Sequence, residues 1–147
     1  MPLIQIKNTT GKVIESLQAD SIQKALEIIA LRGTSLPRAD LRGLNLAGAN
    51  LQGLQCPAAD FSKATLDGAN LRDAHLPAAN FTQAALAKTD FRDCNIAAAT
   101  FAGVDPRSAI GFGSRPTAIP PQYAALMALA AEHPSSADFI PPYTTHR

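Results

Sequence analysis

The chain has 147 residues, a net charge of +1 and 46% apolar residues. This is the balance of one soluble domain with a core of normal size. No apolar run approaches the ~20 residues that a membrane span needs. No basic-then-apolar leader opens the chain, so a cytoplasmic location, or incorporation into a particle assembled there, is the expectation.

The first element in chain order is a hairpin. LIQIK and KVIESL are short β-rich runs, and Asn8, Thr9, Thr10 and Gly11 stand between them as a turn signal. A helix follows over SIQKALEIIALR. Asp20 fits its N-cap with Gln23 in the capping-box position. Ile22, Leu26, Ile29 and Ala30 form its apolar face, and Gly33 ends it.

From Leu36 to Phe101 a large apolar residue then falls at every fifth position, fourteen times in succession. The series is Leu36, Leu41, Leu46, Leu51, Cys56, Phe61, Leu66, Leu71, Leu76, Phe81, Leu86, Phe91, Ile96 and Phe101. Two residues before each lies a second, mostly small apolar residue, usually alanine. Period five fits neither a helix nor a flat strand. It fits a chain that turns a corner every five residues, points two residues of each side inward and leaves three to water. The polar residue just before each central position, such as Asp40, Asn50, Asn70 or Asp90, suits corners through local hydrogen bonds, and glycines recur at another repeat position. Pro37, Pro57 and Pro77 align at a spacing of twenty residues, as do Phe61, Phe81 and Phe101. Four sides of five residues make a coil. Fourteen units make three and a half coils, a column roughly 17 Å tall at the main-chain pairing distance.

Units such as AGANLQG, LDGANLRD and PAANFTQ resemble the A-(D/N)-L-X-X motif of the pentapeptide-repeat family. The resemblance covers about half the chain. It implies an all-β solenoid, a right-handed quadrilateral β-helix. It attaches no catalytic residue to the motif. The functions it implies are diverse and mostly unassigned, the best understood being binding to type II topoisomerases by imitation of DNA.

A solenoid leaves the apolar end of its first coil open, so a terminal cap is needed. The hairpin and helix of residues 1–33 are expected to form it, and they look like N-terminal segments of some bacterial and phage members of the family. Residues 34–105 are expected to form the β-helix. After Gly103 the period fails, and residues 106–147 read as a proline-rich C-terminal arm with a helix at about 121–133. Tyr123, Leu126, Met127 and Ala130 lie at helical spacing there. Phe139, Ile140 and Tyr143 follow as anchors of an extended, polyproline-like end. The arm is expected to cover the last coil, in its own chain or in a second copy, and to reach a partner.

Little in the chain points to chemistry. His75, His133 and His146 stand at no metal-ligand spacing from one another or from a cysteine. There is no phosphate-cradling glycine loop and no nucleophile elbow. Cys56 and Cys94 both fall in inward columns about two coils apart, roughly 10 Å, too far for a disulfide. Residues 34–103 hold six basic and six acidic side chains. That balance argues against a DNA mimic and against a nucleic-acid binder, which would need a basic stripe.

One surface stands out. On the proline side the outward positions are Pro57 and Ala58, Pro77 and Ala78, Ala97 and Ala98, a small apolar strip of the kind that makes contacts. The expectation is a non-enzymatic structural or adaptor protein without cofactor, nucleic acid or membrane. It would bind protein partners or copies of itself as an oligomer or assembly subunit, such as a phage virion component. The alternative is a gyrase-interacting protein of the DNA-mimic type.

Overall fold

The fold was described from a computed structural model, in which residues 1–104 are described. Strand β1 (Leu3–Lys7) pairs antiparallel with β2 (Val13–Gln18) in a two-stranded sheet. Their turn is organised by one side chain. Asn8 Oδ1 accepts from the backbone N–H groups of Thr10 at 3.0 Å and Lys12 at 3.1 Å. Gly11 supplies the left-handed residue there, at φ 89°.

Helix α1 spans Ile22–Arg32. Its N-cap is Ser21 rather than Asp20. Ser21 holds extended angles, and its Oγ accepts from Lys24 N–H at 3.2 Å. Either residue has a suitable acceptor. With Ser21 in that place the third helical position is Lys24, so no capping box forms with Gln23. Gly33 closes the helix at φ 69°. The buried face carries Ala25, Leu26, Ile29 and Ala30. Ile22 is only partly buried and packs against the core from its edge.

The coils begin at Leu36. Parallel bridges join residues twenty apart, from Ser35 with Gln55 down to Asn80 with Thr100. Each wall of a coil is one five-residue unit. The first wall is centred on Leu36, Cys56, Leu76 and Ile96, and the second on Leu41, Phe61, Phe81 and Phe101. The third is centred on Leu46, Leu66 and Leu86, and the fourth on Leu51, Leu71 and Phe91. All of these central residues are buried. They belong to one apolar cluster that also contains Ile6, Leu17, Leu26 and Ile29 of the hairpin and helix.

The unit differs from the sequence expectation in one respect. Only the two residues after each central one form the turn, and the residue before it is a bridge position, half-buried in most units. Bridging draws that residue into the main-chain ladder. Asn70 N–H, for example, donates to Ala49 O at 2.9 Å. Its side chain still makes the local bond expected of it. Asp40, Asp60, Asn70, Asn80, Asp90 and Asn95 each accept from the N–H two residues on.

The second turn residue takes a left-handed conformation throughout. Glycine holds it at Gly43, Gly48, Gly53, Gly68 and Gly103, and nine other residues hold it with φ between 56° and 61°. A positive φ at that place, with a bond from the fourth residue back to the first, is the pattern of a type II turn. Proline suits the preceding place, where Pro37, Pro57 and Pro77 stand.

Inside, the walls meet. Phe61, Phe81 and Phe101 stack down the second wall, with centroids 4.9 and 5.2 Å apart. Phe91 of the fourth wall meets Phe81 edge to face across the core at 5.5 Å. Cys56 and Cys94 are buried free thiols. Burial pushes the Cys56 thiol up to about 12 and raises that of Cys94 as well.

Candidate functional site: the proline–alanine wall

The outward residues of the first wall are Pro37 and Arg38, then Pro57 and Ala58, Pro77 and Ala78, and Ala97 and Ala98. From Cys56 downward the alanines at the second turn place are exposed and the residues beside them half-buried. Main-chain bonds hold the column vertically. Arg38 N–H donates to Pro57 O at 2.8 Å, Ala58 N–H to Pro77 O at 2.8 Å and Ala78 N–H to Ala97 O at 2.6 Å. Ala58, Ala78 and Ala98 have φ of 57°, 60° and 60°. Repetition of one geometry at one spacing makes this strip regular.

The prolines also have a local explanation. At most other units an Asn or Asp before the central residue accepts the N–H of the first turn residue. Proline has no N–H to offer. Above Pro37, Pro57 and Pro77 the corresponding residues are Ser35, Gln55 and His75. At Ala97 the N–H returns, and Asn95 Oδ1 accepts it at 3.1 Å.

Polar columns border the strip. On one side Asn95 Nδ2 lies 3.3 Å from His75 Nδ1. On the other, Thr100 Oγ1 donates to Asn80 Oδ1 at 3.0 Å, and Arg42 pairs with Asp40 at 2.8 Å. The Arg42 guanidinium, through its hydrogen bonds and charge, holds the Asp40 carboxyl below its ordinary value. On the fourth wall Arg92 and Asp90 make the matching pair at 2.7 Å. Burial pushes the Asp90 carboxyl upward, but the hydrogen bonds and charge of Arg92 outweigh it and leave it lowered.

Pro and Ala side chains carry no group for proton transfer or metal ligation, so below Arg38 this strip acts by shape and apolar contact. Among the described residues no group of three or more His, Cys, Asp or Glu is placed to hold a metal ion. Among them, too, no helix is long and apolar enough to cross a membrane. The structure brings Pro57, Ala58, Pro77, Ala78, Ala97 and Ala98 together in one column. Tyr123, Leu126, Met127, Phe139, Ile140 and Tyr143 lie outside the described residues. One notable contact carried no signal in the sequence. Glu27 of α1 accepts from Asn50 N–H of the first coil at 2.8 Å, yet an acidic residue on an amphipathic helix reads only as solvated.

The comparisons with known proteins fit this geometry. The family profile for pentapeptide repeats matches in eight copies, over residues 30–55, 58–93 and 78–110. The chain belongs to the pentapeptide-repeat family. Members typically have non-enzymatic, structural or protein-binding roles, and the four-sided coil is the form of this one. A crystal structure of a pentapeptide-repeat protein from the Arabidopsis thaliana thylakoid lumen is similar, with 24% identity and a TM-score of 0.43. The match covers 88% of this chain and 90% of that one. No curated protein matches the chain. The expectation of a cytoplasmic location is withdrawn; the Arabidopsis protein comes from the thylakoid lumen. That residence is a property of the plant protein.

Proposed function

We propose that this pentapeptide-repeat protein is a structural or adaptor subunit that docks a protein partner, or a second copy of itself, on its first wall. The observation that carries the reading is the stacked column Pro57, Ala58, Pro77, Ala78, Ala97 and Ala98. It is flat, apolar and held in register by main-chain bonds. Exposed apolar strips on rigid frames mark contact surfaces. The column is bordered by polar side chains, as the rim of an interface is.

Two further features complete the proposal. The hairpin and α1 serve as the cap of a right-handed column, since Asp40 N–H donates to Lys7 O and Thr9 N–H to Arg38 O, at 2.8 and 2.9 Å. The segment of residues 106–147, which lies outside the described residues, is in this reading the tether to neighbours. In this reading Leu126, Met127, Phe139 and Ile140 supply its apolar anchors, beside Tyr123 and Tyr143. A larger assembly, such as a phage virion, is the setting that a rigid rod with an arm suits.

The test is a pair of charge substitutions. Ala78→Glu, on the first wall, should abolish association in sedimentation and in reconstitution with the purified assembly. Lys88→Glu, on the opposite third wall, should leave it intact. Equal behaviour of the two variants would remove the first wall from the proposal. Inhibition of gyrase supercoiling by the purified protein would favour the topoisomerase reading instead.

A further inference from the structure

In the column Asn50, Asn70 and Asp90, the main-chain N–H of each lower residue donates to a carbonyl of the coil above. Asn70 N–H reaches Ala49 O and Asp90 N–H reaches Ala69 O, both at 2.9 Å. Asn50 has no coil above it. Its N–H donates instead to Glu27 Oε2 at 2.8 Å, across 23 residues of sequence. A side-chain carboxylate therefore stands where a preceding coil would place a carbonyl. We propose that Glu27 is an acid-sensitive latch that fixes α1 over the first coil, and that its protonation loosens the helix while the coils stay wound.

The coils are held differently. Most of their vertical bonds run between main-chain groups, which do not titrate near neutral pH, and carboxylates enter at Asp67, which accepts Ala87 N–H at 3.0 Å, and at Asp73, which accepts from Gln52 Nε2 at 3.2 Å. The short Asp–Arg pairs on the walls are local side-chain contacts between residues two apart, and Arg42 also lies 4.0 Å from Asp60 of the next coil. Among the described residues the groups that face Glu27 are few. Asn50 comes from the coil. Lys24, with Nζ 3.2 Å from Oε1, and Gln23 come from its own helix. Asn50 N–H is the largest influence, and together with Lys24 and Gln23 it holds the carboxyl below its ordinary value of 4.5. A lowered carboxyl contributes stability that is complete above its unfolded-state value and is lost as the pH falls through the folded-state value. The latch is thus closed at neutral pH and opens in acid, below the ordinary glutamate range. Ile22, Leu26 and Ile29 keep apolar contact with the core, so the helix loosens without leaving.

Backbone amide exchange of the full chain, followed by NMR and normalised to intrinsic rates, tests this. Asn70 serves as the internal reference because a main-chain carbonyl holds its N–H. In the natural sequence, the protection of Asn50 relative to Asn70 should fall about tenfold between neutral pH and about pH 3, the loss of a hydrogen bond to a charged group. Glu27→Gln keeps a carbonyl acceptor and should make that ratio insensitive to pH. Glu27→Ala should lower it at every pH. A ratio unchanged by acid, or unchanged in Glu27→Ala at neutral pH, would overturn the proposal. So would joint loss of protection at both amides, because the coils would then open with the helix.

Discussion

Phe81 lies face to face on Phe61, one coil below it, with centroids 4.9 Å apart and planes 6° from parallel. The same ring receives Phe91 edge-on from the opposite wall, at 84°. Phe81 is therefore the point where vertical stacking and packing across the core meet. Phe81→Ala should destabilise the protein by about 3–5 kcal/mol, because coils fixed by main-chain bonds cannot collapse into the gap. Phe81→Leu should cost clearly less. Urea denaturation of both variants measures the difference, and a cost under about 1 kcal/mol for alanine would contradict the rigid-wall account.

Thr89 is a polar residue in an otherwise apolar inner column. It is fully buried, and its Oγ1 donates to Leu66 O at 2.6 Å. Thr89→Val keeps the shape and removes the donor. Leu66 O retains a second partner, Ala69 N–H at 2.9 Å. The loss should therefore stay near 1 kcal/mol, the usual net worth of one hydrogen bond, rather than the larger cost of a stranded polar group. Denaturant midpoints decide between the two.

Cys56 and Cys94 should be inert to thiol reagents in the native protein at mildly alkaline pH. Both are buried, and burial raises both thiols, Cys56 to about 12. Only the thiolate attacks, so little reactive form exists. Titration with a chromogenic disulfide should find both thiols only after denaturant is added. Rapid reaction of the folded protein would show that the coils open locally around these residues.

The left-handed turn places make a further prediction. At Gly48, with φ 69°, an added Cβ would meet nothing within 4 Å. Gly48→Ala should thus cost only the backbone penalty of that conformation, about 1–2 kcal/mol. Ala78→Gly should do the reverse, with its gain reduced by the added freedom of the unfolded chain. Thermal denaturation of the two variants should move in opposite directions.

The coil was legible in the sequence because its two periods are physical lengths. Five residues measure one wall and twenty measure one circuit, so the rows from Leu36 to Phe101 fixed which side chains share a wall. The role of the residue before each central position was less legible. Asn70 carries the same side chain whether it sits at a corner or in a bridge, and only the ladder distinguishes the two. The N-cap was ambiguous because Asp20 and Ser21 are both competent and adjacent. Ser21 serves because its Oγ is the one that accepts Lys24 N–H. Of the candidate site, the Pro and Ala column was readable from alignment alone. The local reason for Pro57 and Pro77, that no Asn or Asp precedes them to claim an N–H, emerged only when side-chain acceptors were seen. The contact of Glu27 with Asn50 was invisible, since it depends on where a helix lies rather than on any spacing.

The twenty-residue circuit also makes the protein a kind of screw with a four-step thread. Losing or gaining one unit of five residues would leave every inward side chain inward, so the core would survive. It would nevertheless carry all later outward residues a quarter turn onto the next wall. Ala97 and Ala98 would then leave the line of Pro57 and Pro77. Only changes of whole circuits preserve both interior and exterior. The length of such a chain is therefore constrained by what its walls must face, and much less by what its core must bury.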